Sequence, residues 1–259
     1  MDDTTVEAYL ERIGVARPAE LDAASLAVLH RAHLTTVPFE NLSLHLSEPI
    51  SLETPDLIDK IVMRRRGGFC YELNGTFALL LRALGADVSL AGVAVFGEDR
   101  LGPPFDHLAL IVILPGDGGR WLVDVGFGDH SVYPLDLADR QEQADPGGRF
   151  QLIETVDGDL DVLRDAKPQY RVELRKRSLN DFGPTCWYQQ TSPASHFTWS
   201  TICSRLTDSG RISLSGRTLI RTVGGSKTEE KLTTDDDVLA AYREHFGVHV
   251  DRVPEVRRG

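Results

Sequence analysis

Cys70 sits in the run RRRGGFCYELNG (residues 64–75), behind three arginines and two glycines and just ahead of a helical pattern. A thiol there has two readings. Free cysteine is among the most buried residue types, and a lone one before a helix is commonly core. The other reading is a nucleophile. The first turn of a helix over 70–84 offers unpaired N–H groups and a positive dipole end, both of which favour a thiolate. Arg64, Arg65 and Arg66 bring cationic charge, although such a run is often only a solvated face. Gly67 and Gly68 permit a sharp turn, with φ > 0 available, that would let a reacting carbonyl approach.

A thiolate nucleophile calls for a histidine as base and a third group to orient the imidazole. Of the eight histidines, His30 and His33 read as helix-face residues, and His245 and His249 fall in or after the last helical run. His107 differs, because it opens the strand-like HLALIVIL at the rim of a sheet. The following RWLVDVGFG carries Asp124 between two valines, where a carboxylate is costly to bury without a partner. The two runs join across LPGDGG, a hairpin signal built on Pro115, Gly116 and Asp117. With an even loop, His107 and Asp124 share one face of the ladder. A four-residue loop over Leu114–Asp117 sets them directly opposite, with Cβ atoms about 5 Å apart. A turn centred two residues later parts them by four positions, too far to bond. Singly, each residue has a bland reading: buried thiol, rim histidine, structural carboxylate. Jointly they read as a catalytic triad.

The elements needed to hold such a triad fall into three parts. Residues 1–86 read as helices: EAYLERIG stopped by Gly14, ASLAVLHRAHL, and SLETPDLIDKIVMRR with Ser51 and Thr54 as caps and Pro55 in a first turn. A fourth follows Cys70, its Phe69, Leu73, Phe77, Leu80, Leu81 and Leu84 at helical spacing, ended by Gly85. Residues 87–190 switch to short alternating or β-branched strands, DVSLAGVAVF, HLALIVIL, RWLVDVGFG, FQLIETV, DLDVLRD and QYRVELRK, the pattern of a sandwich or barrel. Residues 191–259 add GRISLSG, RTLIRTV and the helix DDDVLAAYREHFG opened by Thr233 or Thr234. The fold class is α+β.

Composition narrows the function. At 41% hydrophobic and 26% charged residues, a normal core is available and no long disordered tract is implied. A net charge of −11 argues against a general nucleic-acid binder, which needs a basic face for phosphates. The acidic start MDDTTVEAYL lacks a signal peptide's pattern, and no apolar run nears the length of a bilayer span. Three distant cysteines, Cys70, Cys186 and Cys203, suggest neither a disulfide framework nor a metal site. Cys186 reads as structural, and a reducing cytoplasm fits best.

RRGGFCYELNG, FDHLAL and LVDVGFGD, with HLTTVPFENLSL, YQQTSPASHF and EHFGV, resemble the arylamine N-acetyltransferases over nearly the whole chain. The resemblance implies a helical N-terminal domain, a central antiparallel β-barrel and a C-terminal α/β lid with a cysteine-protease-like triad. It matches the family's nucleophile, base and carboxylate to Cys70, His107 and Asp124, and implies ping-pong transfer from acetyl-coenzyme A to an aromatic amine. It also maps the acceptor pocket onto Phe39, Val95, Phe127 and Phe197, which spacing alone assigns to core, and one coenzyme A contact onto Tyr188. Glu40 of VPFEN, if buried, needs one of the arginines before Gly67 as partner. Lys227 and Lys231 read as a solvated charged loop, with phosphate contact as the alternative. A rival within the same residues is an amide synthase that closes a macrolactam from a carrier-bound polyketide. More distant rivals are cysteine proteases and transglutaminase-like enzymes, or a non-catalytic redox or binding module.

Overall fold

A computed structural model describes residues 1–98, 100–116 and 118–256. Helix α1 (Asp3–Ile13) is capped by the Asp2 carboxylate, which accepts from the Thr5 N–H, and Gly14 ends it in the left-handed conformation. Helix α2 (Ala23–Thr36) starts at a reciprocal Asp22–Ser25 cap and buries Leu26, Leu29, His30 and His33. A short strand β1 (Phe39–Glu40) and helix α3 (Leu42–Leu46) follow, neither of them signalled by periodicity. Helix α4 (Thr54–Ile58) has Pro55 in its first turn but Glu53 as its cap residue, not Ser51 or Thr54. It runs into one π-helical turn, Asp59–Met63, that breaks the helix expected there. Helix α5 (Cys70–Ala83) buries nearly every side chain, and Gly85 takes φ +103 just past its end.

The central sheet holds β2 (Asp87–Val95), β3 (His107–Ile113), β4 (Arg120–Val123), β5 (Leu135–Asp136), β6 (Gln143–Asp145), β7 (Gly148–Glu154), β8 (Leu160–Arg164) and β9 (Lys167–Arg177). Its order is β5-β4-β3-β2-β9-β8-β7-β6, antiparallel throughout, curled into a nearly closed barrel. Period two sorts β3 between two cores. Leu108, Leu110 and Val112 pack with Phe77, Leu80 and Leu81 of α5, while Ala109 and Ile111 face Phe150, Leu152, Tyr170 and Val172 inside the barrel.

A 3-10 turn (Leu179–Phe182) leads into α6 (Gly183–Thr191), and another (His196–Thr198) leads to the second sheet. That sheet comprises β10 (Ile202–Thr207), β11 (Gly210–Ser215), β12 (Thr218–Val223) and β13 (Ser226–Lys231), with β1 added at its edge next to β10. The segment SKTEEK is therefore a strand, exposed along its length, with Lys227 paired to Glu229, and not a loop. Helix α7 (Asp235–Phe246), capped by Thr234 and ended by Gly247, covers this sheet through Val238, Tyr242 and Phe246. Among the described residues no helix is long and apolar enough to cross a membrane.

Candidate active site

Cys70 is the first residue of α5 and only 3% exposed. The N–H groups of Cys70 and Tyr71 lie in the first turn, where a helix offers no carbonyl to receive them. Arg64 and Arg66 are engaged away from the sulfur. Arg64 pairs with Asp59 at 2.7 Å. Arg66 is buried and held by Glu40 at 2.9 Å and Glu48 at 3.1 Å, which supplies the partner that a buried Glu40 requires. Nor do the two glycines open a path for substrate. A Cβ on Gly67 would lie 2.1 Å from the Pro38 carbonyl oxygen, and one on Gly68 would meet the Glu72 side chain at 2.7 Å. Neither has positive φ, so they are glycines because β1 and Glu72 crowd them.

His107 opens β3, and Asp124 stands one residue beyond the end of β4. The ladder pairs Ile113 with Arg120, and the Leu114 N–H donates to the Gly119 carbonyl. The turn is thus Pro115–Gly118, centred one residue later than the register that sets His107 and Asp124 opposite; its Asp117 lies outside the described residues. The pair is offset diagonally on one face, and the side chains still meet, His107 Nε2 to Asp124 Oδ2 at 2.7 Å. With Nε2 taken, Nδ1 is the ring nitrogen left for proton transfer.

Asp124 is 3% exposed and fully engaged. Its Oδ1 accepts from Asn74 Nδ2 at 2.9 Å and from the Gly126 N–H at 3.0 Å. Burial pushes its carboxyl up, but the His107 ring and these donors outweigh burial and hold it at about 2. The Cys70 thiol goes the other way. Burial pushes it well up, and the Leu108 backbone N–H facing it only partly offsets this. Burial likewise lifts the Cys186 thiol to about 12, in keeping with a packing role on α6.

A pocket of about 140 Å³ is lined by Cys70, His107, Phe39, Val95, Phe127, Phe197 and also Asp106, Gly126 and His196. All four apolar residues mapped from the resemblance meet there. Tyr188 is not among them. It is 38% exposed on α6 and lines an adjoining cleft of about 820 Å³ with Arg100, Pro103 and Thr185. The two spaces share Val95, Asp106 and His196.

Several supporting residues carried no signal of their own. Asn74 on α5 donates to Asp124 and to the Leu108 carbonyl at 2.6 Å, and accepts the Val125 N–H at 2.9 Å. Its position four residues after Cys70, one helical turn on, was the available clue. His30 Nε2 accepts the Asp124 N–H at 3.4 Å while its Nδ1 bonds the Val132 carbonyl, so a helix-face histidine reaches the Asp124 backbone. Gly126 lies so near Cys70 that a Cβ would stand 2.8 Å from the Cys70 Cα.

The chain matches known proteins over most of its length. The family model for N-acetyltransferase matches residues 22–255. An arylamine N-acetyltransferase of Mycobacterium tuberculosis is 34% identical over 256 residues, covering 96% of this chain and 90% of that one. The structure of M. smegmatis arylamine N-acetyl transferase superposes with a TM-score of 0.88 at 32% identity, over 97% of this chain and 95% of that one. That of the Mycobacterium marinum enzyme in complex with CoA gives 0.85 at 30% identity, over 94% and 92%. The chain belongs to the arylamine N-acetyltransferase family.

Proposed function

We propose that the protein moves an acetyl group from acetyl-coenzyme A to the nitrogen of an aromatic amine, hydrazine or hydroxylamine in two half-reactions, with Cys70 carrying the acetyl group between them. The observation that supports this best is the pocket in which Cys70 and the Asp124-bound His107 meet four apolar side chains able to clamp a flat ring. The adjoining cleft with Tyr188 and Arg100 has room for the long pantetheine arm. An acyl chain long enough for macrolactam closure fits poorly in the small space beside the sulfur, which disfavours the amide-synthase reading.

Because burial opposes a lone thiolate, the Cys70 proton passes to His107 Nδ1 and the thiolate exists only beside the imidazolium that Asp124 stabilises. The sulfur attacks the acetyl carbonyl, the bond to the coenzyme A sulfur breaks, and that sulfur takes the proton from His107. The N–H groups of Cys70 and Tyr71 are the donors for the transient oxyanion. An amine then attacks the acetyl-cysteine. Its proton goes to His107, the C–S bond to Cys70 breaks, and the proton returns to the sulfur. A neutral aromatic amine is nucleophilic at pH 7, so this modest acid–base help suffices.

Intact-mass spectrometry tests the scheme. The protein mixed with acetyl-coenzyme A gains one acetyl group, loses it when an anisidine is added, and gains none as Cys70→Ala. Labelling that survives in Cys70→Ala sinks the mechanism. No labelling of a Cys70 that iodoacetamide still alkylates would mean a different acyl donor.

A further inference from the structure

Neither half-reaction uses Asp106, yet this carboxylate lines both the pocket at Cys70 and the cleft at Tyr188. Its place is built from three directions. Gln189 of α6 donates Nε2 to Asp106 Oδ1 at 2.7 Å, and the Ser195 hydroxyl donates to Gln189 Oε1 at 2.5 Å, which fixes the amide with its N–H toward the carboxylate. The Tyr71 hydroxyl donates to the carbonyls of Phe105 and Asp106 at 2.8 and 3.1 Å. Phe105 itself takes φ +62, a conformation unusual for a bulky side chain, with its ring against Phe182 and under the Arg177 guanidinium. Gly102 leaves the remaining space, since a Cβ there would lie 2.6 Å from Asp106 Oδ2.

The charges around it give this placement a consequence. Burial raises the Asp106 carboxyl, while the adjacent His107, His196 from the facing turn, Gln189 from α6 and the Val95 backbone draw it back. Its negative charge in turn adds to the push on the Cys70 thiol. Asp106 therefore hinders the thiolate that opens the first half-reaction. A carboxylate held at that cost, facing the pocket, is suited to a donor that arrives in the second.

We propose that Asp106 is a specificity residue that accepts an N–H of the incoming acceptor and so favours arylhydrazines over arylamines, an assignment that rests on the acetyl-transfer reading. A hydrazine attacks with its terminal nitrogen, whose proton goes to His107, and keeps an N–H on the nitrogen beside the ring. Asp106, next to His107 in the chain and on the pocket wall, accepts that second N–H. An arylamine has its ring carbon at this place and offers nothing. Asp106 takes up no proton: the C–N bond forms, the C–S bond breaks, and the proton returns to Cys70 through His107 as before.

The test measures single-turnover loss of the acetyl group from acetylated protein with phenylhydrazine and with aniline, for the wild type and Asp106→Asn. With Asn, the phenylhydrazine step slows about tenfold or more and the aniline step less than about twofold, the difference one hydrogen bond to a charged group makes. In the same variant iodoacetamide alkylates Cys70 faster at pH 7, which a merely structural loss would not produce. Asp106→Ser replaces it if the Asn chain does not fold. Equal slowing with both acceptors, an unchanged ratio, or failure of both variants to take up acetyl from acetyl-coenzyme A overturns the assignment. A wild type that takes up no acetyl overturns the acetyl-transfer reading and this assignment with it.

Discussion

Four aromatic or imidazole rings stand behind the Asp124–His107 pair, and one is a second histidine. His130 stacks on Tyr170 at 5.0 Å and lies 4.7 Å from Phe150 and 5.1 Å from Phe127. Both its ring nitrogens are buried and have no hydrogen-bond partner among the described residues. Burial holds its pKa at about 4, so the ring is neutral at pH 7. In the unfolded chain the same ring takes a proton below about 6.5. Between pH 6.5 and 4 the unfolded state is thus protonated where the fold is not, and stability falls as pH drops through that window. The loss attributable to His130 is about 3 kcal/mol. His130→Leu removes two unmet nitrogens, so it leaves stability at pH 7 unchanged or higher and flattens this acid loss. Urea denaturation at pH 7 and pH 4.5 checks it; an equal pH dependence in both proteins would show that His130 is not the titrating group. Nothing in GFGDH marked this histidine, because its burial depends on strands far along the chain. Cys70, His107 and Asp124 stand out in the sequence because each breaks a local pattern. Asn74 and His30, which brace them, fit their helices and break none.

At the scale of elements, the β3–β4 hairpin shows what alternation can and cannot give. Period two puts His107 and Asp124 on one face whatever the even loop, and that holds. The register depends on where the turn closes, and Pro115, Gly116, Gly118 and Gly119 permit several centres, so the diagonal offset was not legible. The segment VPFENL is a second case. Its pattern is too short to announce β1 or α3, whose pairing with β10 is set across most of the chain. Asn41 makes the join. Its Nδ2 donates to the carbonyls of Phe197 at 2.9 Å and Ser200 at 2.8 Å, and its Oδ1 accepts the Ile202 N–H at 2.8 Å. This clamp seats Phe197 against Phe39 and Phe69, with ring centroids 6.1 and 5.8 Å apart. Asn41→Ala strands the Ser200 carbonyl and the Ile202 N–H, while His45 Nε2 still meets the Phe197 carbonyl at 3.1 Å, and costs about 2 kcal/mol, at roughly 1 kcal/mol for each stranded group. Under the proposed two-step transfer it also raises KM for the aromatic acceptor several-fold while leaving acetylation of Cys70 by acetyl-coenzyme A in place. Thermal melting and the two half-reactions measured separately test this; a loss confined to acetylation would mean that Asn41 does not act through Phe197.

Across the whole molecule, one buried ion pair stands where the helical part meets the second sheet. Glu40 belongs to β1, the edge strand beside β10, while Arg66 belongs to the turn that leads into Cys70 and α5. Their side chains are 0% and 6% exposed. The junction is laced further: the Glu40 N–H donates to the Gly68 carbonyl at 2.8 Å, the Leu42 N–H donates to Glu40 Oε2 at 2.6 Å, and Arg12 Nη2 donates to the Arg66 carbonyl at 2.6 Å. Arg66 thus serves architecture, fixing the helix that carries Cys70 against the strand that carries Phe39. Removing Arg66 leaves the Glu40 carboxylate buried without its ion-pair partner, which costs about 3–5 kcal/mol. Arg66→Met therefore destabilises by that amount, and Glu40→Gln by less, because Arg66 keeps Glu48 at 3.1 Å. Removing both leaves no orphan charge, so Glu40→Gln/Arg66→Met costs less than the two singles added, by about 2 kcal/mol or more. Urea denaturation of the four proteins gives the coupling directly. Additive costs would show that the two side chains stabilise the junction independently. A positive coupling, with Phe39 displaced and acceptor turnover reduced in both singles, would tie the seam between the helices and the second sheet to the pocket at Cys70.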